Sequence, residues 1–204
     1  MKKGIFLLTV LSIVFTSCNN DDDTPPASNP DPLQSEQIIN FYAPQTGGQG
    51  QPVGGAFTKF DFTTGTQTTS DTDWDIAFRG TTIAINGGEA TGTLDEPIRN
   101  GEAAATIVSG TFASVTSADG LTFAQDGDTA FAIPTGSDNG WYNYNFMTNI
   151  VSPIPGKVLV VKTRNGKYAK IEILSYYQNQ DTAQDGRYYT FNYAYNPNAG
   201  DSSF

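Results

Sequence analysis

Histidine is absent from this 204-residue chain, and cysteine occurs once, at Cys18. Without histidine there is no Ser-His-Asp or Cys-His nucleophile arrangement, and no imidazole for zinc or haem iron. A single cysteine forms no intrachain disulfide, so burial alone has to hold the fold. Methionine is almost as scarce, at Met1 and Met147 only. Basic residues number 11 against 21 acidic, a formal charge of −10. That balance argues against nucleic acid and against a basic membrane-docking patch. No CxxC, no P-loop and no GxGxxG following a strand occurs. An enzyme made from this chain would have to work with carboxylates, lysine or tyrosine. Asp73 and Asp75 are the pair nearest to a carboxylate hydrolase, which needs two such groups roughly 5–9.5 Å apart in a cleft. They share one face of an alternating run, and a solvated strand face accounts for them more simply. The sequence reads as non-enzymatic.

What is present begins with an address. Lys2 and Lys3 precede a short apolar run over residues 5–15, too short to span a bilayer comfortably. The run ends Phe15-Thr16-Ser17-Cys18, which resembles a bacterial lipobox. Residues 1–17 then read as a lipoprotein signal peptide, with lipid attached to Cys18; the plainer alternative is an ordinary secretory signal with an incidental cysteine. Loss of Lys2 and Lys3 takes the formal charge from −10 to −12. Residues 18–32 are acidic and proline-rich, with almost no large apolar side chain. Such a stretch cannot bury enough surface to offset its ordering entropy, and it reads as a flexible tether. Asp21-Asp22-Asp23 just after the cysteine resembles the surface-export signal of Bacteroidetes lipoproteins; a solvated linker is the bland reading.

Residues 33–204 read as one all-β domain of antiparallel sheets, with at most one or two short helices. Glycine, threonine, phenylalanine and tyrosine abound, and amphipathic helical stretches are few. The most legible part is 157–178, KVLVVKTRNGKYAKIEILSYYQ, where Asn165-Gly166 predicts a two-residue type I′ hairpin turn. That turn sets Val160 opposite Ile171 and Val158 opposite Ile173, one apolar face of four. Val161 then faces Lys170 and Leu159 faces Glu172 on the other side. Tyr189, Phe191, Tyr193 and Tyr195 alternate with Tyr188, Thr190, Asn192 and Ala194 in a third strand, completing an antiparallel meander.

Earlier segments are read more coarsely. Residues 33–41 form a short helix or a strand, 45–55 a glycine-rich loop, and 56–62 a strand with Phe60 and Phe62 on one face. In 73–79, Trp74, Ile76 and Phe78 point inward, and Asp73, Asp75, Ala77 and Arg79 outward. A short strand follows at 81–85, and Asn86-Gly87-Gly88 turns the chain. Residues 103–109 suit a short helix or a broken strand; 121–123 and 129–133 are strand candidates. Asp126-Gly127-Asp128 lacks the spacing of a calcium loop and reads as a hairpin turn.

Before the meander lies WYNYNFMTNIVSPIPGK, in which Trp141, Tyr142 and Tyr144 crowd together ahead of a Pro-bounded PIPG. It is either a packed core loop or the wall of a pocket for a flat apolar ligand. Together with WDIAFRGTTIAINGG at 74–88 and YYTFNYAY at 188–195, the segment at 141–177 resembles the HmuY family, the haem-capturing lipoproteins of Bacteroidetes. The resemblance covers about a third of the mature chain. It implies an all-β fold, a haem pocket between loops, no catalysis, display on the outer-membrane surface, and delivery of haem to a TonB-dependent receptor.

The resemblance also implies two axial iron ligands from two facing loops, both His or both Met, one of them just before PIPG. In this chain that loop is 145–149. A ligating His would fall near Asn149, a poor ligand, and Met147 two residues away is the only thioether of the mature chain. The second ligand is expected from 117–128, which has no His, Met, Cys or Tyr. What remains is haem held through Met147 alone, a tyrosine of the 142–144 region, or no iron ligation. The candidate haem site is therefore Trp141, Tyr142, Tyr144, Met147 and Asn149, with Met147 as the axial ligand; as a purely structural residue Met147 would be a gap-filling side chain. The competing reading keeps the fold and changes the ligand to another tetrapyrrole, a glycan or a peptide.

Overall fold

The computed structural model describes residues 29–204. The signal peptide, Cys18 and most of the tether lie outside the described residues. Thirteen strands form two sheets and two hairpins: β1 (Gln34–Tyr42), β2 (Thr46–Gly48), β3 (Gln51–Gly54), β4 (Thr58–Asp61), β5 (Thr66–Thr68), β6 (Ile76–Arg79), β7 (Thr82–Ile85), β8 (Ala104–Ser109), β9 (Tyr142–Asn145), β10 (Ile150–Pro153), β11 (Lys157–Lys162), β12 (Tyr168–Tyr177) and β13 (Gly186–Asn196). Among the described residues, helix is limited to one 3-10 turn, Gln178–Gln180. The large sheet runs β1-β13-β12-β11-β8 and the smaller one β5-β4-β6-β7; β2-β3 and β9-β10 are separate hairpins. All named strand pairs are antiparallel. The expected meander is there as β11-β12-β13, extended by β8 on one side and β1 on the other.

The two sheets face each other across an aromatic core. Tyr189, Phe191, Tyr193 and Tyr195 of β13 all point into it, as their alternation predicts, and meet Phe60, Phe62 and Phe78 from the smaller sheet. Phe60 packs edge-on against Phe191 and Tyr193, each at 5.5 Å between ring centroids, and Phe78 stacks on Phe191 at 5.7 Å. Edge-to-face and offset arrangements are those the ring quadrupole favours. Phe41 joins them from β1, aimed inward after a bulge between Ile38 and Phe41 where Asn40 takes φ 57°.

The register of the β11-β12 hairpin differs from the expected one by a residue. Leu159 lies opposite Ile171 and Val160 opposite Lys170. The turn is the cause. Gly166 N–H donates to Thr163 C=O at 3.0 Å, and Thr163 N–H to Lys167 C=O at 2.8 Å. Gly166 has φ 80°, while Asn165 is not among the residues with positive φ. This is a type I turn over Arg164-Asn165 closed by a glycine bulge, whereas type I′ needs positive φ at both central positions. Thr163 favours it by accepting Lys167 N–H at 3.0 Å on its hydroxyl and donating that hydroxyl to Asn165 Oδ1 at 2.8 Å.

The shift moves Leu159, Val161, Ile171 and Ile173 to the inner core, and Val158 and Val160 to the outer face. That face is also buried, under Val115, Ala118, Phe112, Leu121, Phe123 and Phe204. Lys170 is buried there without a carboxylate. Its Nζ donates to Phe112 C=O at 2.7 Å and Val115 C=O at 2.8 Å, with the Phe112 ring centroid 4.5 Å away.

Several coarser expectations are resolved or revised. Residues 34–42 are strand rather than helix, 45–55 contains the β2-β3 hairpin, and 104–109 is a continuous strand. The candidates at 121–123 and 129–133 make no strand; Ala124 forms only an isolated bridge to Ala105. The outward face of 73–79 is solvated only at Asp73. Asp75 and Arg79 are both buried, as are Trp74 and Ala77 in a second small cluster. Arg79 donates to the carbonyls of Gly55 and Leu94 and to the Thr93 hydroxyl. The Asp75 carboxylate accepts Phe62 N–H at 3.0 Å and Arg164 N–H at 2.9 Å, and pairs with Arg164 Nη1 at 3.1 Å. It ties the smaller sheet to the turn of the large one. Asp126 is likewise a core anchor rather than a hairpin corner: it accepts from Ile85 N–H and Ala132 N–H and pairs with Arg99 at 2.9 Å.

Candidate functional site

The β9-β10 hairpin grows from the core. Trp141 and Tyr142 at its foot are buried, and Trp141 packs on Tyr189 at 5.2 Å while its indole N–H donates to Thr81 C=O at 3.0 Å. Ile154 N–H closes the base on Trp141 C=O at 2.9 Å. Both edges of this two-stranded ribbon are covered, as unpaired strand edges require. On one side the 137–138 loop engages it: Ser137 Oγ accepts Tyr144 N–H at 2.8 Å and Asp138 Oδ1 accepts Asn143 Nδ2 at 2.7 Å. On the other, Tyr177 OH accepts Val151 N–H at 2.9 Å.

The tip is a different environment. Asn145 Oδ1 accepts Met147 N–H at 2.9 Å and Thr148 N–H at 3.3 Å, an Asx-type turn that its side chain closes without help from the core. Asn149 takes φ 57° and its Oδ1 accepts Tyr144 OH at 2.7 Å. Phe146 and Met147 project with 75% and 78% of their surface exposed. Met147 is therefore not a gap-filling side chain. Of the five candidate haem residues, the fold brings Tyr144, Met147 and Asn149 together on the hairpin's outer half. Trp141 and Tyr142 are in the core, where the packing explanation accounts for them.

The expected second ligand segment does not complete a pair. Ala118, Leu121 and Phe123 pack with Val158 and Val160 on the outer face of the large sheet, and Ser117 bridges Ser203. Trp141, Tyr142, Ile150 and Val151 of the hairpin belong to the inner core instead. Among the described residues, Met147 is the sole thioether and no imidazole exists. The chain does not fit the paired axial ligation that the resemblance implies. One thioether on the hairpin tip is what it offers.

Beside the hairpin lies a cleft of about 420 Å³ that sequence reasoning missed. It is lined by Tyr42, Asn149, Val151, Tyr176, Tyr177, Asp185, Gly186, Arg187 and Tyr188. Tyr42 and Tyr188 are a cross-strand pair of β1 and β13, stacked at 4.6 Å. Arg187 has φ 73° and donates to Gln45 C=O at 2.9 Å. Burial pushes the Tyr176 phenol up to about 12, so it is a neutral donor at physiological pH and not a tyrosinate. The signal available in sequence was Tyr188 on the face opposite the core aromatics, next to Arg187; nothing local announced that Tyr42 would stack on it.

A model of the HmuY protein family matches residues 56–193, about two thirds of the chain. The chain belongs to the HmuY family. The apo form of a Tannerella forsythia HmuY analogue is similar at 14% identity and a TM-score of 0.49, over 84% of this chain and 100% of that one. An HmuY-like protein of Bacteroides vulgatus ATCC 8482 is similar at 16% identity and a TM-score of 0.48, over 81% and 93% of the two chains. No curated protein matches the sequence.

Proposed function

We propose that this HmuY-family protein is a non-enzymatic haem- or porphyrin-binding lipoprotein of the outer membrane, anchored through Cys18, displayed on the cell surface and passing its ligand to a TonB-dependent receptor. The observation that carries the reading is the position of Met147. The one thioether of the mature chain stands exposed at the tip of the hairpin that precedes PIPG, with Phe146 beside it and a covered, core-rooted base beneath. A thioether is a soft axial donor for haem iron. The macrocycle itself would be held by apolar burial against Phe146 and the exposed side of Tyr144, at roughly 25 cal/mol per Å² removed from water.

The test is titration of the purified protein with haemin, followed by absorbance in both oxidation states, beside Met147→Ala and beside iron-free protoporphyrin. A shifted Soret band in the wild type, lost in Met147→Ala while protoporphyrin still binds both proteins, supports iron ligation at Met147. Free-haemin spectra in both oxidation states overturn it. One observation favours a second reading: Ala118, Leu121 and Phe123 pack on the outer face of the large sheet, and residues 117–128 contain no His, Met, Cys or Tyr. On that reading the hairpin holds a non-haem ligand, and neither haemin nor protoporphyrin is retained.

A further inference from the structure

We propose that the cleft beside the β9-β10 hairpin is a carbohydrate site that takes one pyranose residue of a glycan, with Asn149 of the hairpin on its rim and Met147 outside its lining. Its walls suit that ligand better than a flat apolar one. A pyranose has an apolar C–H face and a rim of hydroxyls that both donate and accept. Tyr42, half exposed and backed by Tyr188 at 4.6 Å, offers a fixed aromatic platform for the first. The rim is met by groups with unused capacity. Among the described residues, the Asp185 carboxylate makes no hydrogen bond or ion pair and Asn149 Nδ2 makes no hydrogen bond, and both residues line the cleft. Arg187 has no carboxylate partner among the described residues, although Asp185 lines the same cleft. A purely apolar ligand would desolvate this cation, carboxylate and amide without replacing their water. A volume of about 420 Å³ lies within the range of small-molecule sites.

The backbone supports the same place. Eight non-glycine residues among those described have positive φ, and five of them line this cleft or lie within three residues of one that does. Asn149 and Arg187 line it; Asn40, Asn179 and Gln180 lie within three residues of Tyr42 or Tyr177, which line it too. Asn40 and Asn179 lock each other there, Asn40 Nδ2 donating to Asn179 Oδ1 at 2.8 Å and Asn179 N–H donating to Asn40 Oδ1 at 2.7 Å. Uncommon backbone conformations concentrate where surrounding structure holds side chains for a purpose other than packing.

Saturation-transfer NMR of the purified protein with the methyl glycosides of glucose, galactose, mannose and N-acetylglucosamine, at millimolar concentration, tests the proposal. The expected result is transfer to the ring C–H protons of at least one glycoside. Tyr42→Ala weakens it by about tenfold or more, a difference well resolved in a titration. Asp185→Asn, at an exposed and unpartnered side chain, also weakens it and guards against misfolding of the first variant. Met147→Ala leaves it unchanged. Absence of transfer from all four glycosides overturns the proposal, as does transfer that survives in both cleft variants. Displacement of the glycoside by haemin overturns it too, because the cleft would then belong to the porphyrin site.

Discussion

Two hairpins follow one another in this chain and are treated oppositely by the fold. The β11-β12 turn is captured: Arg164 at its corner gives its N–H to Asp75 Oδ1 at 2.9 Å and its guanidinium to Asp61 at 2.8 Å and Asp75 at 3.1 Å. Both faces of its strands are buried. The β9-β10 turn is left free, closed only by its own Asn145 and topped by Phe146 and Met147 in solvent. The first hairpin is scaffold, and its turn is fixed from outside. The second leaves Phe146 and Met147 on the surface, where they bury little on folding. Local turn chemistry is similar in the two; what the neighbouring sheet supplies makes them different.

The sharpest way to break the contrast is Asp75→Ala. It leaves the buried Phe62 N–H and the half-buried Arg164 N–H without their acceptor and the Arg164 guanidinium with Asp61 alone, and a loss of about 3 kcal/mol is expected by urea unfolding. Gly166→Ala tests the turn geometry. A side chain at φ 80° should cost about 1–2 kcal/mol, read in the same assay.

Acid provides a third, milder probe, aimed at the 91–99 loop that Arg99 holds to Asp126. Burial raises the Glu96 carboxyl, but hydrogen bonds from the hydroxyls and N–H groups of Thr91 and Thr93 outweigh it and lower the value from 4.5 to about 2. A lowered carboxyl stabilises the fold above its unfolded value, and that contribution is lost as pH falls from 4.5 through about 2. Melting temperatures over that range should fall more steeply in the wild type than in Glu96→Gln. The smallest effect belongs to the free hairpin: Met147→Ala should change stability by less than about 0.5 kcal/mol, whatever it does to haemin. A large loss there would show that the tip is packed after all and erase the difference between the two turns.

The places where sequence reading succeeded and failed follow the same line. The alternation of Tyr189, Phe191, Tyr193 and Tyr195 needed only the period of a strand, and all four are in the core. The alternation of 73–79 was equally clear and leaves Asp73 exposed, yet Asp75 and Arg79 on the same face are buried because they find partners from distant segments. Asn165-Gly166 marked a turn but not its type, and a one-residue difference exchanged the faces of β11. A two-sided core made that exchange tolerable: Lys170 reached carbonyls of the 112–115 loop where an open sheet would have exposed it. At the candidate site, Met147 stood out by scarcity. Trp141 and Tyr142 stood out by clustering, which core and pocket share.

Strand periodicity, turn residues and the lack of histidine determined from the sequence alone that this is an all-β chain, and that it has no imidazole to offer iron. The motifs at 74–88, 141–177 and 188–195 pointed to the HmuY family. Tertiary structure alone decided which aromatics are core and which are surface, and that Ala118, Leu121 and Phe123 pack on the outer face of the large sheet. It alone assembled a cleft from Tyr42 and Tyr188, which lie far apart in the chain. The reason is physical: periodicity and turn chemistry act over a few residues, whereas exposure and the meeting of two strands depend on which distant surface arrives to cover them.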